Sequence, residues 1–138
     1  KILVDAVIAS EPKEGVWSSI VDIDKVPKDQ WILDIGPETI KLYKDIIQEA
    51  QTIVWNGPMG MFEIENFAQG TNEIAKAIIE SGASKIVIGG GETVQAIIKY
   101  YKPLALANRR IHVSTGGGAM LEFLEGKELP AIEALQNK

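Results

Sequence analysis

The stretch "GGGET", residues 89–93, has the residue types of a phosphate site. Glycine lets the backbone approach an anion closely, and the first N–H groups of a helix have no partners within the helix. Mg²⁺ typically takes one or two carboxylates together with phosphate oxygens, which suits Glu92 as its ligand. Gly90, Gly91 and Thr93 would then contact the phosphates. A tight strand-to-helix turn, with Glu92 offsetting the helix dipole, fits the same spacing.

A second glycine segment, "STGGGA" at residues 114–119, repeats this arrangement. Ser114 or Thr115 would cap the following helix, while Gly116 and Gly117 would leave its first amides open to an anion. A hinge, or a close contact between helix and strand, is the alternative interpretation. Glycine turns at strand ends in an open parallel sheet point to a nucleotide or another polyphosphate.

A third segment, "WNGPMGMFE" at residues 55–63, suits the nucleoside end of such a ligand. Asn56 follows a strand, Pro58 and Met59 would form an apolar floor beneath a purine, and Glu63 would accept hydrogen bonds from ribose hydroxyls. The alternative is a rigid surface turn, with Met59 and Met61 packed in the core or at its rim. Gly36 would form another wall of the site, since it has no side chain to block a flat ring. The alternative is that Gly36 serves only the turn that starts a helix.

These segments lie in a chain whose apolar runs alternate with helical patterns, which is typical of βαβ units. We predict the α/β class: a Rossmann-like three-layer α/β/α arrangement with a mainly parallel sheet, incomplete because the chain is a piece of a larger domain. Thr71 is the predicted N-cap of the second helix. The predicted strands are 2–9, 31–36, 52–55, 85–90 and 111–115, and the predicted helices are 37–50, 71–81, 92–101, 116–126 and 131–136.

Composition excludes several classes of protein. The 138 residues favour one folding unit, and the formal charge of −5 makes a nucleic-acid or membrane surface a poor hypothesis. Without cysteine there is neither a disulfide framework nor a thiolate metal site. No apolar run approaches the roughly 20 residues that span a bilayer, so we expect a cytoplasmic protein. His112, the only histidine, is interpreted as structural.

Three motifs in order resemble the phosphoglycerate kinase family: "WNGPMGMFEIENFAQGT", "GGGET" and "HVSTGGGAMLEFLEGKELP". "ILDIGPET" and "KILVDAVIA" are also similar to that family, so the resemblance runs along nearly the whole chain. The family is a glycolytic phosphotransferase. It transfers a phosphoryl group between 1,3-bisphosphoglycerate and ADP, giving 3-phosphoglycerate and ATP, with Mg²⁺.

The resemblance implies a role for each matching residue. Gly36 would line the adenine site, Asn56 and Pro58 would lie by the nucleotide, and Glu63 would bind the ribose. Glu92, where the family usually has aspartate, would hold Mg²⁺. The remaining implied contacts are to phosphate oxygens, by Gly90, Gly91 and Thr93, and to the transferring phosphoryl group, by Gly116 and Gly117.

The resemblance also implies that the chain, residues 1–138, is part of the C-terminal, nucleotide-binding domain. Residues 127–138 would be a tail that packs on the N-terminal domain, and that domain would bind 3-phosphoglycerate. We expect the piece to be inactive alone and to self-associate through surface that missing strands would cover. Two rival hypotheses are a non-catalytic nucleotide-binding or association module and a dinucleotide-dependent dehydrogenase. The second lacks the G-x-G-x-x-G pattern with its distant acidic residue.

Overall fold

The computed structural model describes residues 3–107 and 109–136. Strands and helices alternate along most of this part of the chain. The strands are β1 (Asp5–Ala9), β2 (Ser18–Asp22), β3 (Trp31–Ile35), β4 (Thr52–Asn56), β5 (Lys85–Gly89) and β6 (Ile111–Ser114). The α-helices are α1 (Pro37–Glu49), α2 (Gln69–Glu80), α3 (Gly91–Ala107), α4 (Gly117–Leu124) and α5 (Pro130–Gln136).

Strands β4, β5 and β6 form a parallel sheet in the order β4-β5-β6. Side chains alternate between the two faces of a strand, and Ile53 and Trp55 of β4 are buried while Val54 between them is exposed. Each connection between neighbouring strands passes through a helix, as parallel pairing requires. The predicted α/β class, with a parallel sheet flanked by helices, is confirmed.

Strands β1, β2 and β3 form a separate antiparallel sheet in the order β2-β1-β3. Strand β2 was not predicted, because its side chains are half-buried or exposed and show no clear alternation. The predicted strand 2–9 is shorter in the structure, where β1 begins at Asp5, and its residue 2 lies outside the described residues. The pairing of β1 with β2 and β3, rather than a local sequence pattern, therefore defines the strands in this region.

The main core lies under α2, which packs between α1 and α3. Ile74 and Ile78 recur at helical spacing on α2, and both are buried against Ile86 and Ile88 of β5. Burial of one such side chain stabilises the fold by about 1.5–3 kcal/mol. This cluster joins the two sheets, since Ile35 at the end of β3 belongs to it as well.

The other face of the parallel sheet is only partly covered. Val87 and His112 line a cavity of about 440 Å³ together with Phe123 and Leu124 of α4. Phe123 is 62% exposed and Leu124 is 56% exposed. We call this the open face. Among the described residues, no helix has the length and apolar character needed to cross a bilayer.

Candidate functional site

The three strands of the parallel sheet end level with one another. Asn56 at the end of β4 pairs in register with Gly89 of β5, and Gly89 pairs with Ser114 of β6. A glycine-containing segment follows each strand, so three turns leave the same edge. In open parallel sheets, ligands bind at this edge, outside the carboxyl ends of the strands.

Asn56 lies between two of these turns. A Cβ on Gly90 would be 2.7 Å from Asn56 Oδ1, and a Cβ on Gly117 would be 2.6 Å from the same oxygen. The Cβ position of Gly117 is also 2.7 Å from Gly90 N. Because heavy atoms in ordinary contact are about 3.5 Å apart or more, neither position can hold a side chain without a shift. The starts of α3 and α4 therefore meet backbone to backbone.

Helix α4 begins without a side-chain cap. Its N-cap residue is Gly116, and no side chain makes a capping hydrogen bond there. The predicted cap by Ser114 or Thr115 is therefore wrong, because the chain turns into the helix one residue later. Uncapped first-turn N–H groups need another acceptor, and the helix dipole favours an anion in that place.

The start of α3 presents an acidic side chain to solvent. Glu92 is the second residue of the helix and is exposed, as is Gly91 before it. In residues 3–107 and 109–136, no group of three or more His, Asp or Glu side chains is arranged to hold a metal. Mg²⁺ does not need such a group when phosphate oxygens supply the other ligands. The donor set at this edge thus fits Mg²⁺ bound by one carboxylate and a polyphosphate.

Thr93, the third residue of α3, is fully buried. Its Oγ1 accepts the N–H of Gly57 at 2.7 Å. A hydroxyl that accepts this bond still has its own proton to donate. Thr93 therefore connects the start of α3 to the segment that follows β4.

That segment, which we call the 57–61 loop, is also bonded to α2. Thr71 Oγ1 accepts the N–H groups of Met59 at 3.1 Å and of Gly60 at 3.3 Å. Helix α2 begins at Gln69, with Ala68 in the cap position and no side-chain cap from that residue. The predicted N-cap at Thr71 is therefore wrong: Thr71 is the third residue of the helix, and its hydroxyl serves the loop.

The first turn of α2 is capped from β3 by Asp34. One carboxylate oxygen accepts the N–H of Gly70 at 2.7 Å, and the other accepts the N–H of Ile35 at 2.9 Å. The Cβ positions of Gly60 and Gly70 both fall on this carboxyl group, which explains why each is glycine. Burial raises the pKa of Asp34 to about 6, although the two N–H donors act in the opposite direction.

A second buried aspartate caps α1 in the same way. Asp5 of β1 accepts the N–H groups of Glu38 at 3.1 Å and Thr39 at 2.8 Å, and the Thr39 hydroxyl donates to it at 2.8 Å. Burial alone would raise the pKa of Asp5, but hydrogen bonds from Thr39 and Glu38 hold it below its usual value. The Cβ position of Gly36 falls on this carboxylate. Gly36 is thus required by the helix start, and its contact with an adenine ring stays a prediction.

The nucleoside-end residues lie along the same stretch of chain. Pro58 is half-buried in the 57–61 loop, and Glu63 is exposed just beyond it. Met59 packs against the main core, which confirms the core interpretation of its side chain. The roles of Pro58 under a purine and of Glu63 at a ribose stay predictions.

One repeated feature of the helix starts was not predicted from the sequence. Thr39, Thr71 and Thr93 are each the third residue of a helix, and each is fully buried. Each accepts main-chain N–H groups from a segment outside its own helix. A threonine repeated at one helical position, three residues into α1, α2 and α3, is the signal from which these bonds could have been predicted.

The sequence of this chain is similar to that of known proteins along most of its length. The sequence profile described as "Phosphoglycerate kinase" matches residues 1–127 of the chain. The chain belongs to the phosphoglycerate kinase family. One curated relative, the phosphoglycerate kinase of Dictyoglomus turgidum, is 52% identical over 134 residues, which is 97% of this chain and 33% of that protein. The chain thus spans about a third of the length of the curated relatives it matches.

Solved phosphoglycerate kinase structures share the fold. The structure of phosphoglycerate kinase from Coxiella burnetii matches with a TM-score of 0.82 at 44% identity, covering 95% of this chain and 33% of that one. The phosphoglycerate kinase from Pyrococcus horikoshii OT3 matches with a TM-score of 0.76 at 40% identity, covering 97% and 32% respectively. The structural match therefore extends over nearly all of this chain.

Proposed function

We propose that this chain supplies most of the nucleotide and Mg²⁺ site of a glycolytic phosphotransferase that works in the cytoplasm. The reaction is the transfer of a phosphoryl group between 1,3-bisphosphoglycerate and ADP, giving 3-phosphoglycerate and ATP. The observation that carries this proposal is the meeting of two helix starts, at Gly90 and Gly117, beside Asn56. Membership of the phosphoglycerate kinase family supports it independently.

The phosphate end of the nucleotide would lie at these helix starts. The amide of Gly91, with the Thr93 hydroxyl, would bind the phosphates of ADP. The N–H of Gly90 donates to the Ser114 carbonyl at 3.2 Å, so Gly90 would serve the phosphates by letting the main chain approach closely rather than by donating its own amide. Gly116 and Gly117 would offer their amides to the phosphoryl group in transfer. Such donors stabilise negative charge without reorganising during the reaction, and phosphoryl transfer depends mainly on positioning and electrostatics.

Glu92 would hold Mg²⁺, which neutralises charge on the phosphate oxygens when it is bound. Glutamate is one methylene longer than aspartate, so its carboxylate reaches about 1–1.5 Å further. Because the Glu92 side chain is exposed, it has room to adopt the conformation that places its oxygens on the metal. The polyphosphate would complete the coordination.

The nucleoside would lie along the earlier turns, with Asn56 and Pro58 beside it, Glu63 at the ribose and Gly36 at the adenine. In the reaction, a β-phosphate oxygen of ADP would form a bond to the transferring phosphorus. The bond from that phosphorus to the C1 carboxyl oxygen of 1,3-bisphosphoglycerate would break, and the carboxylate would leave with the electron pair. No proton needs to move at neutral pH, so the site needs no general base.

A second candidate is a module that binds nucleotide at the same helix starts without turnover. In the proposed enzyme, 3-phosphoglycerate would be bound by an N-terminal domain outside residues 1–138, so these residues alone would be inactive. Supplying the rest of the protein in trans separates the candidates. Restored turnover would support a split enzyme, whereas binding without turnover would support the module.

The direct test is calorimetric titration of the chain with ADP, with and without Mg²⁺. We expect Mg²⁺-dependent binding that Glu92→Ala loses and that Glu80→Ala retains. Glu80 is the matched control, because it is also exposed but lies at the opposite end of a helix, at the C-terminus of α2. Mg²⁺-dependent binding that survives in Glu92→Ala would contradict the metal assignment. No binding by the wild-type chain would contradict the nucleotide site in this chain.

A further inference from the structure

The 57–61 loop uses all of its main-chain donors inside the protein. Gly57 donates to Thr93 Oγ1 at 2.7 Å, and Met59 and Gly60 donate to Thr71 Oγ1 at 3.1 and 3.3 Å. Met61 N–H donates to the Leu33 carbonyl at 2.8 Å, and Pro58 has no N–H. The loop therefore has no main-chain N–H left for a ligand, unlike a phosphate-binding loop whose amides face outward.

A loop of this kind can contribute only its side chains and carbonyl groups to a site. Its contribution then depends on the conformation that the internal hydrogen bonds maintain. Thr71 accepts two of the four bonds, and it does so from a fully buried position. Removing its hydroxyl would leave the N–H groups of Met59 and Gly60 without their acceptor, and the loop would rearrange to hydrate them.

Thr71 is itself held in place from β3. The N–H of Gly70, its neighbour in the first turn of α2, donates to Asp34 at 2.7 Å. The Cβ positions of Gly60 and Gly70 both fall on the Asp34 carboxyl group, so loop and helix pack on one buried side chain. The acceptor for the loop is thus held from β3 through Asp34.

We propose that Thr71 is a positioning residue for the nucleotide. It acts through the 57–61 loop, whose conformation sets the orientation of Pro58 within it. This inference rests on the proposed nucleotide site. Thr71 makes no contact with the ligand; its hydroxyl determines where residues that do so are placed.

The test compares three variants of the chain. Thr71→Val replaces the hydroxyl with a methyl group of similar size, and Thr71→Ser keeps the hydroxyl. Ser81→Ala is the matched control: Ser81 is buried at the opposite end of α2, where its hydroxyl donates to the Ile78 carbonyl at 2.8 Å. Two readouts are measured where all variants are folded: the Kd for ADP with Mg²⁺, and hydrogen exchange of the Met59 and Gly60 amides.

In Thr71→Val we expect the Kd to rise about tenfold, since the hydrogen bonds that support the bound conformation of the loop are lost. Exchange of Met59 and Gly60 should accelerate by a similar factor. Thr71→Ser should restore both values to within about twofold of wild type. Ser81→Ala should change neither, although it lowers stability, and this separates positioning from a purely structural role.

Unchanged affinity in Thr71→Val would overturn the inference, whether or not the two amides lose protection. Lost affinity with unchanged exchange would overturn it as well, because the effect would not pass through the loop. If Thr71→Val does not fold, fast exchange of both amides in the wild-type chain overturns the inference and strong protection supports it. If the wild-type chain binds no ADP, the proposed function fails for this chain. In that case, loss of amide protection at Met59 and Gly60 in Thr71→Val, restored in Thr71→Ser, still supports control of the loop by Thr71.

Discussion

Adding one methyl group at Gly117 should destabilise the chain, whereas adding one at Gly118 should not. The Cβ of Gly117→Ala would be 2.6 Å from Asn56 Oδ1 and 2.7 Å from Gly90 N. Ordinary contact requires about 0.8 Å more, and one of the obstructing atoms is backbone, so the starts of α3 and α4 must separate. Overpacking of this kind costs about 1–3 kcal/mol of the free energy of unfolding.

Gly118 is the matched control in the next position of the same helix. Apart from its chain neighbours and the backbone of its own helix, no described atom lies within 4 Å of its Cβ position. Alanine favours a helix over glycine by up to about 1 kcal/mol, so Gly118→Ala should be neutral or stabilising. The two variants should therefore differ by about 1–4 kcal/mol in the free energy of unfolding.

Urea unfolding followed by circular dichroism measures this difference. With a slope of about 2 kcal/mol per molar urea, the two midpoints should be separated by about 0.5–2 M. Gly117→Ala should also weaken ADP binding, because the separated helix starts would no longer converge on one ligand. Equal midpoints for the two alanine variants would refute the close approach of Gly117 to Gly90.

Two further predictions concern pH and association. The pKa of Asp34 is raised to about 6 in the fold from a usual value of 3.8, so the folded chain binds more protons than the unfolded chain between those values. The Asp34 contribution to stability should therefore be greatest below pH 4 and should fall by about 3 kcal/mol as pH rises to 7. Urea unfolding at several pH values should show this in wild type and lose it in Asp34→Asn; an identical pH profile in both would contradict the assignment. The open face should make the chain self-associate, and Phe123→Gln with Leu124→Gln should shift sedimentation towards monomer, because both side chains are more than half exposed. A wild-type chain that sediments as a monomer up to high concentration would count against this role of the open face.

The parallel half of the fold could be predicted from sequence because its signals are local. Apolar runs with glycine in the turns that follow them located β4, β5 and β6 to within one residue, and those turns converge as parallel topology requires. The antiparallel half could not be predicted in the same way. Strand β2 has no strong alternation of its own, and only its pairing with β1 defines it.

Helix starts show the limit of local patterns at the site. A threonine before an apolar helical run predicted an N-cap at Thr71, yet the cap is Asp34, which is 37 positions earlier in the sequence. The same is true of α1, where Asp5 caps a helix that begins at Pro37. A carboxylate that reaches a helix from another strand leaves no pattern in the helix sequence, so these contacts required the structure.

The contact between Gly90 and Gly117 has a mechanical consequence. Between most packed elements, side chains can change rotamer and absorb a small displacement. Here two main chains touch directly, and neither glycine has a side chain that could yield. A tilt of α4 towards the sheet would therefore displace the first turn of α3 by nearly the same distance. The two sets of amides at this edge should move as one rigid unit.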